Sequence, residues 1–224
     1  MLKIGLTGGI ASGKSLVASR LRELGAILVD ADHLAREVVK PGTPGLARVV
    51  DAFGPGILDS QGKLDRPKLG AIVFKDPSQR EVLNGIVHPL VREAAAAMVA
   101  KAGPEDIVVQ DIPLLVETGQ GRNFHLVVVV DAPDDIRIQR MVEFRRMTTE
   151  EAMARMASQA TRAERNAAAD VVLDNSGTRE QLLAAVDTLW EHRLVPLANS
   201  LYHSSGAPRD NGSVSPHNPI TPSG

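Results

Sequence analysis

A glycine-rich run set between an apolar segment and a helical pattern constrains this chain more than any other feature. Residues 5–21 read GLTGGIASGKSLVASRL. Within them, Gly8-x-x-x-x-Gly13-Lys14-Ser15 fits a phosphate-binding loop. Gly8 and Gly13 allow backbone turns that L-residues resist, so successive N–H groups can close around an anion. Lys14 can reach β- and γ-phosphates, and the Ser15 hydroxyl can ligate Mg²⁺. The helix starting near Lys14 aims its positive dipole end at the same place. The competing reading is a glycine-rich turn with no ligand. The apolar strand before it and the helix after it favour the loop.

The rest of the chain continues that strand-then-helix order. Short apolar runs predict strands over Lys3–Leu6, Ala26–Val29, Ile107–Val109, Leu126–Val130 and Val171–Leu173. Four of them end on or run into an acidic residue: Asp30, Asp111, Asp131 and Asp174. Nearly continuous apolar runs are expected of parallel strands covered on both faces. Helical patterns such as Lys14–Leu24 and Pro133–Phe144 lie between them. The alternation predicts an α/β domain with a parallel sheet. Residues 32–103 interrupt it, holding no convincing strand, and read as a helical insertion. Within them, residues 79–101 space Leu83, Ile86, Val87, Leu90, Val91, Ala94 and Met98 as one helix face. Pro89 falls inside that pattern and predicts a kink or break.

Composition narrows the class. The chain has 224 residues, enough for one large domain or a core with an insertion. A net charge of −2 gives no global pull toward nucleic acid or a membrane surface. With no cysteine, disulfides, thiolate metal sites and cysteine nucleophiles are excluded. The first residues enter structure without the pattern of a signal peptide. Leu126–Val130, the longest aliphatic run, is too short to span a bilayer. The cytoplasm is the default location, and no obligate protein partner is evident.

The loop implies a nucleoside triphosphate but no particular reaction. The guanine-reading Asn-Lys-x-Asp of a GTPase is absent, as is the Leu-Ser-Gly-Gly-Gln of a transport ATPase. Residues 137–165 carry seven arginines and no lysine. They read either as solvated helix faces or as a lid whose guanidiniums stabilise a phosphoryl group in flight. Insertion and arginines together suit a small-molecule kinase. Asp30 and Asp32 fall at the end of the second predicted strand, where open α/β sheets place their ligands. Asp32 can accept a hydroxyl proton, or simply cap the following helix; Asp30 reads as structural.

Further pieces are GLTGGIASGKS, VDADHLAREVVKPGTPGL, VFKDP, HPLV, DIPLLVETG, VVVVDAP and ADVVLDNSGT. In this order, over about residues 3–190, the chain resembles the dephospho-coenzyme A kinases. The resemblance implies a three-layer P-loop NTPase core with a five-stranded parallel sheet. It adds a helical substrate-binding insertion at about 32–103 and a small helical lid at about 140–165, all in one domain over 1–201. The implied reaction moves the γ-phosphoryl of ATP to the ribose 3′-hydroxyl of dephospho-CoA, with Mg²⁺. The implied catalytic residues are Asp32 as base, Lys14 and Arg140. ATP would contact Gly8, Gly9, Ala11, Ser12, Gly13, Lys14, Ser15, Leu16 and Asn175, with Ser15 on the metal. The acceptor would contact Asp32, Arg36, His88, Pro113, Leu114 and Leu115, with Glu117 buttressing the cleft. Arg36 and His88 also have plain readings, as a solvated arginine and a structural histidine.

Three positions depart from the family. Leu16 replaces a usual threonine, and Ala11 replaces a variable glycine of the loop. Phe144 stands where the family has a second lid arginine, four residues past Arg140, which puts the lid's charge in doubt. Two rivals remain: a kinase of another small hydroxyl acceptor, and an ATP-binding regulator that transfers nothing. From Tyr202 onward the chain is polar and rich in Gly, Pro and Ser, which predicts a disordered tail over 202–224.

Overall fold

The computed structural model describes residues 1–204. Its centre is a five-stranded, all-parallel sheet: β1 (Leu2–Gly8), β2 (Ile27–Asp30), β3 (Ile107–Asp111), β4 (Leu126–Asp131) and β5 (Val171–Asp174), in the spatial order β2-β3-β1-β4-β5. Each predicted strand is present. The four acidic residues are the last rungs of their strands, with Asp30 opposite Asp111 and Asp131 opposite Asp174. A line of carboxylates therefore marks the carboxyl edge of the sheet, beside the loop that follows the central strand β1.

Alternation along the strands builds two apolar faces. Leu2, Ile4 and Leu6 of β1 join Val128 and Val130 of β4 on one face. They pack against Val17 and Leu21 of α1 (Lys14–Glu23) and Leu182 and Val186 of α9 (Arg179–Leu189). A π-turn over Trp190–Leu194 carries α9 into α10 (Val195–Ser204), whose Ala198 closes this layer. On the other face, Val29 and Val108 meet Val91, Ala94 and Met98 of α5 (Pro77–Ala100). Val127 and Val129 there cover Leu115.

The segment between β2 and β3 is helical: α2 (Ala31–Glu37), α3 (Pro44–Phe53), α4 (Arg66–Lys75) and α5. It has a small core of its own, Val39, Val49, Ile57 and Leu69, against Leu83, Ile86 and Val87 of α5. The long helix thus serves two cores, its first half in the insertion and its second half on the sheet. Pro89 lies between these halves, and the helix runs through it, so the break, one of the two expectations, does not occur. A mid-helix proline costs about 3 kcal/mol, and packing on both sides of it outweighs that cost.

After β4, α6 (Asp134–Arg145), α7 (Thr149–Ala157) and α8 (Arg162–Ala167) fold back beside the loop. Capping boxes start α7 and α8, from Thr148 with Glu151 and from Thr161 with Glu164. Helix α10 continues through Tyr202 to Ser204, so the expected disordered tail does not begin at 202; its remainder, 205–224, lies outside the described residues.

Candidate active site

The loop after β1 takes its shape from two residues in the left-handed region, Ala11 (φ 61°) and Gly13 (φ 96°). Glycine carries no penalty there, whereas alanine does. Gly13 has a second constraint, because the Asn175 amide occupies the space a Cβ would need. Helix α1 begins at once, with Gly13 at its N-cap. The loop lines a cleft of about 490 Å³ together with Asp32, Pro113, Arg140, Phe144, Arg145 and Gln159.

Three elements brace the loop from outside. Asn175 Nδ2 donates to the Ser12 carbonyl at 2.7 Å, and its own N–H donates to the Asp131 carbonyl at 2.7 Å. Arg140 donates to the Asn175 carbonyl at 2.9 Å and to the Ala11 carbonyl at 3.4 Å. Arg137, only 2% exposed, donates from Nε to the Ile10 carbonyl at 2.9 Å, while the Ile10 N–H donates to Gln159 Oε1 at 2.9 Å. Arg137 and the similarly buried Arg165 crowd Gly9, where a Cβ would come within 2.5 Å of Arg137 Nη2 and 2.8 Å of Arg165 Nη2. Burial, and then the neighbouring Arg165, push the Arg137 guanidinium below its usual range. The loop's Ile10, Ala11 and Ser12 carbonyls are held this way, and residues 8–15 all line the cleft.

Lys14 Nζ donates to Asp111 Oδ1, the last residue of β3. Burial pushes the Asp111 carboxyl above the ordinary carboxylate range, Lys14 opposes this, and the nearby Asp30 and Asp32 add to it. Asp30 is the N-cap of α2, accepting from the His33 N–H at 2.9 Å. That removes the capping reading of Asp32, which sits in the first turn with its side chain exposed.

Asp32 also lines a second, more apolar pocket of about 350 Å³, with Ala35, Val39, Leu69, Leu83 and Val87, and with Arg66, Asn84 and His88 at its edges. One carboxylate therefore stands where the two cavities meet. His88 faces this second pocket, and Pro113 faces the first.

Five expected positions lie elsewhere. Leu16 turns its side chain toward the sheet core. Leu115 is core as well, packed with Val127 and Val129, and Leu114 is exposed beside it, outside both cavities. Asn175 is a buried brace of the loop, absent from the cleft wall. Arg36 lines a neighbouring groove, although one helical turn from Asp32 suggested a shared face. Glu117 accepts from the Ala160 N–H at 2.7 Å, tying the segment after β3 to the start of α8.

The first helix of the arginine-rich segment ends beside the cleft. Helix α6 stops at Arg145, with Arg146 in the left-handed region (φ 55°). Arg145 then lines the cleft beside Arg140 and Phe144, and Phe144 is 78% exposed. Arg162 instead binds Asp131 with both Nε and Nη2, the latter at 2.7 Å. Burial pushes the Asp131 carboxyl up, and the bonds from Arg162 outweigh that and hold it below the usual range. The arginine-rich segment was visible in sequence, but the division of labour within it was not. Residues as far apart as Arg137 and Arg165 meet only through the turns between α6, α7 and α8.

Comparison with known proteins agrees with this arrangement. The family model for dephospho-CoA kinases matches residues 2–181. A dephospho-CoA kinase of Streptomyces avermitilis is 53% identical over 190 residues, covering 85% of this chain and 93% of the relative. One from Mycolicibacterium paratuberculosis is 50% identical over 201 residues; the chain spans 49% of that relative's length. The structure of TT1252 from Thermus thermophilus matches with a TM-score of 0.68 at 33% identity, over 84% of this chain and 96% of the other. The family match covers the loop, the two-cavity site and all of the arginine-rich segment, and the chain belongs to the dephospho-CoA kinase family.

Proposed function

We propose that this chain transfers the γ-phosphoryl of ATP to the ribose 3′-hydroxyl of dephospho-CoA, giving CoA and ADP. The observation that carries the reading is Asp32, which lines both the phosphate-loop cleft and the apolar pocket on the insertion. ATP lays its phosphates in the loop, and the acceptor ribose enters from the pocket with its hydroxyl at Asp32. The 3′-oxygen attacks the γ-phosphorus while its proton passes to the Asp32 carboxylate. The bond from the γ-phosphorus to the β–γ bridging oxygen breaks, and ADP leaves with that oxygen. Lys14, held by Asp111 before nucleotide arrives, turns to the β- and γ-phosphates as charge builds there. Arg140 and Arg145 face the same cleft and offset charge on the phosphoryl group.

The donor set fits Mg²⁺, which takes hard oxygen ligands and keeps several waters. The exposed Ser15 hydroxyl lies beside Lys14 in the cleft, and Asp32 and Asp111 are close enough to sense each other's charge. When bound, the ion would be held by Ser15 with Asp32 and Asp111 nearby, and would supply positive charge against that of the phosphates. We place the reaction in the cytoplasm; no helix among the described residues is long and apolar enough to cross a membrane.

The test is ADP release with ATP and Mg²⁺ against a panel of dephospho-CoA, nucleosides and nucleotides. The reading expects release to depend on acceptor and dephospho-CoA to have the highest kcat/KM. Preference for a nucleoside would make the chain a kinase of another acceptor. No ADP with any acceptor would leave a nucleotide-binding regulator.

A further inference from the structure

Gln159 stands on the wall of the phosphate cleft, in the turn between α7 and α8. Its side-chain oxygen accepts from the Ile10 N–H of the loop at 2.9 Å. A backbone N–H can only donate, so the amide must turn its oxygen toward Ile10 and its nitrogen away. That nitrogen has no hydrogen bond among the described residues, and it is not buried. Its two N–H donors are therefore open to whatever enters beside the loop.

The backbone that carries this side chain is fixed. The Gln159 N–H donates to the Met156 carbonyl at 3.1 Å. The next residue, Ala160, is held at both ends. Its N–H donates to the Glu117 carboxylate at 2.7 Å, and its carbonyl accepts from the buried Arg165. Glu117 belongs to the segment after β3, which gives Pro113 to the cleft. Thr7 Oγ1 ties that segment to β1 by donating to the Pro113 carbonyl at 3.3 Å. Asp32 lies on this side of the loop, because β2 and β3 both fall on one side of β1. Gln159 also borders a smaller cavity of about 230 Å³ with Arg137, Arg162 and Arg165. Those guanidiniums are donors too, and the Asp134 carboxylate there is bonded to Arg137 at 3.0 Å. The cleft is where an acceptor for the amide nitrogen can arrive.

We propose that Gln159 contacts the transferring phosphoryl group, its amide oxygen gripping the loop at Ile10 while its amide nitrogen donates to a γ-phosphoryl oxygen. Glu117 acts through it as a positioning residue, by fixing the Ala160 backbone. The inference rests on the proposed reaction and adds a neutral donor to the cations already in the cleft. The γ-phosphoryl group is the one that must meet Asp32, so a donor on that side of the loop lies at the terminal phosphate. A donor held in place before the nucleotide arrives needs no reordering as charge develops on the phosphoryl oxygens.

The experiment measures, by calorimetry with Mg²⁺ and no acceptor, the binding of ADP and of the imido analogue of ATP, which keeps its terminal phosphoryl group. The proteins are wild type, Gln159→Leu, Gln159→Glu and Glu117→Ala. Gln159→Leu should weaken the ATP analogue roughly 10- to 100-fold more than ADP, the size of one hydrogen bond to a charged group. Glu117→Ala should reproduce part of that selective loss. Gln159→Glu keeps an oxygen for Ile10 but puts a carboxylate where the donor was. Its affinity for the analogue, relative to wild type at the same pH, should recover as pH falls into the carboxyl range, because the protonated acid again offers an O–H donor. Equal losses of both nucleotides in Gln159→Leu would make the residue a brace of the loop alone and overturn the contact. Unchanged binding, a Gln159→Glu defect that stays constant with pH, or a wild type that binds neither nucleotide would overturn it too. A selective loss upholds the contact even where dephospho-CoA receives no phosphoryl group, and an equal loss sinks it even where transfer is normal.

Discussion

Ala11→Gly should make this protein more stable. Ala11 has φ 61° in the phosphate-binding loop, one of two non-glycine residues in the left-handed region among the described residues, the other being Arg146 at 55°. That conformation brings Cβ too close to the following carbonyl and costs an L-residue about 1–2 kcal/mol. Glycine relieves the clash but gives the unfolded chain more freedom, which takes back about 0.4–1 kcal/mol. The net gain is about 0.5–1 kcal/mol, or roughly 1–4 °C in melting temperature for a domain of this size. The loop has no way to relax around the alanine, because its carbonyls are bonded on both sides: Ile10 to Arg137, Ala11 to Arg140 and Ser12 to Asn175. The assay is a thermal melt of wild type, Ala11→Gly and Arg146→Gly without nucleotide. Arg146 is exposed at the end of α6 and serves as an internal standard for the same backbone effect away from the cleft. Both variants should melt higher. A rise for Arg146→Gly with no rise or a fall for Ala11→Gly would refute the claim that the braces hold the loop in a strained shape.

Lys14→Ala should lower kcat by about 10²–10³, the usual loss for one donor aimed at developing charge; near-normal turnover in a folded variant would refute the loop assignment. Asp32→Asn should lower kcat by roughly 10²–10⁴ with little change in ATP affinity, and the opposite split would make Asp32 a nucleotide or metal ligand. Arg145→Ala should lower kcat by about 10² if it supplies the second lid cation, while Phe144→Arg, at a side chain 78% exposed, should be tolerated or mildly activating; full activity in Arg145→Ala would leave the lid to Arg140. Arg137→Met should keep the packing but leave the Ile10 carbonyl without its donor, costing about 1–3 kcal/mol and raising the KM for ATP; unchanged stability and KM would show that the loop does not need this brace.

Elements with a strong local signal were legible in sequence. The glycine pattern, the five apolar runs and the helical spacing over residues 79–101 all reappear, because a buried strand or one helix face must carry that periodicity wherever it packs. Pro89 misled because proline's cost is local, whereas α5 is held by two separate cores. Asp32 was ambiguous until its neighbour Asp30 took the cap, a choice set by backbone angles at the end of β2. Spacing placed Arg36 one turn from Asp32 but could not say which wall each would face, since that depends on where α4 lies. Leu115 and Asn175 belong to motifs beside the site, and only the packed structure distinguishes residues that brace or underlie a cleft from those that line it. The roles of Arg137, Arg165 and Gln159 depend on contacts between elements distant in sequence, which no single window of residues carries.

The most direct test of the account is to follow the phosphoryl group itself. Protein, Mg²⁺, ATP and dephospho-CoA should convert to ADP and CoA in equal amounts, with ³¹P NMR showing a new monophosphate ester on the ribose 3′-oxygen and no free phosphate. ADP formed without acceptor, phosphate released to water, or an ester at any other position would contradict the assignment of Asp32 as the residue that joins the phosphate loop to the acceptor pocket.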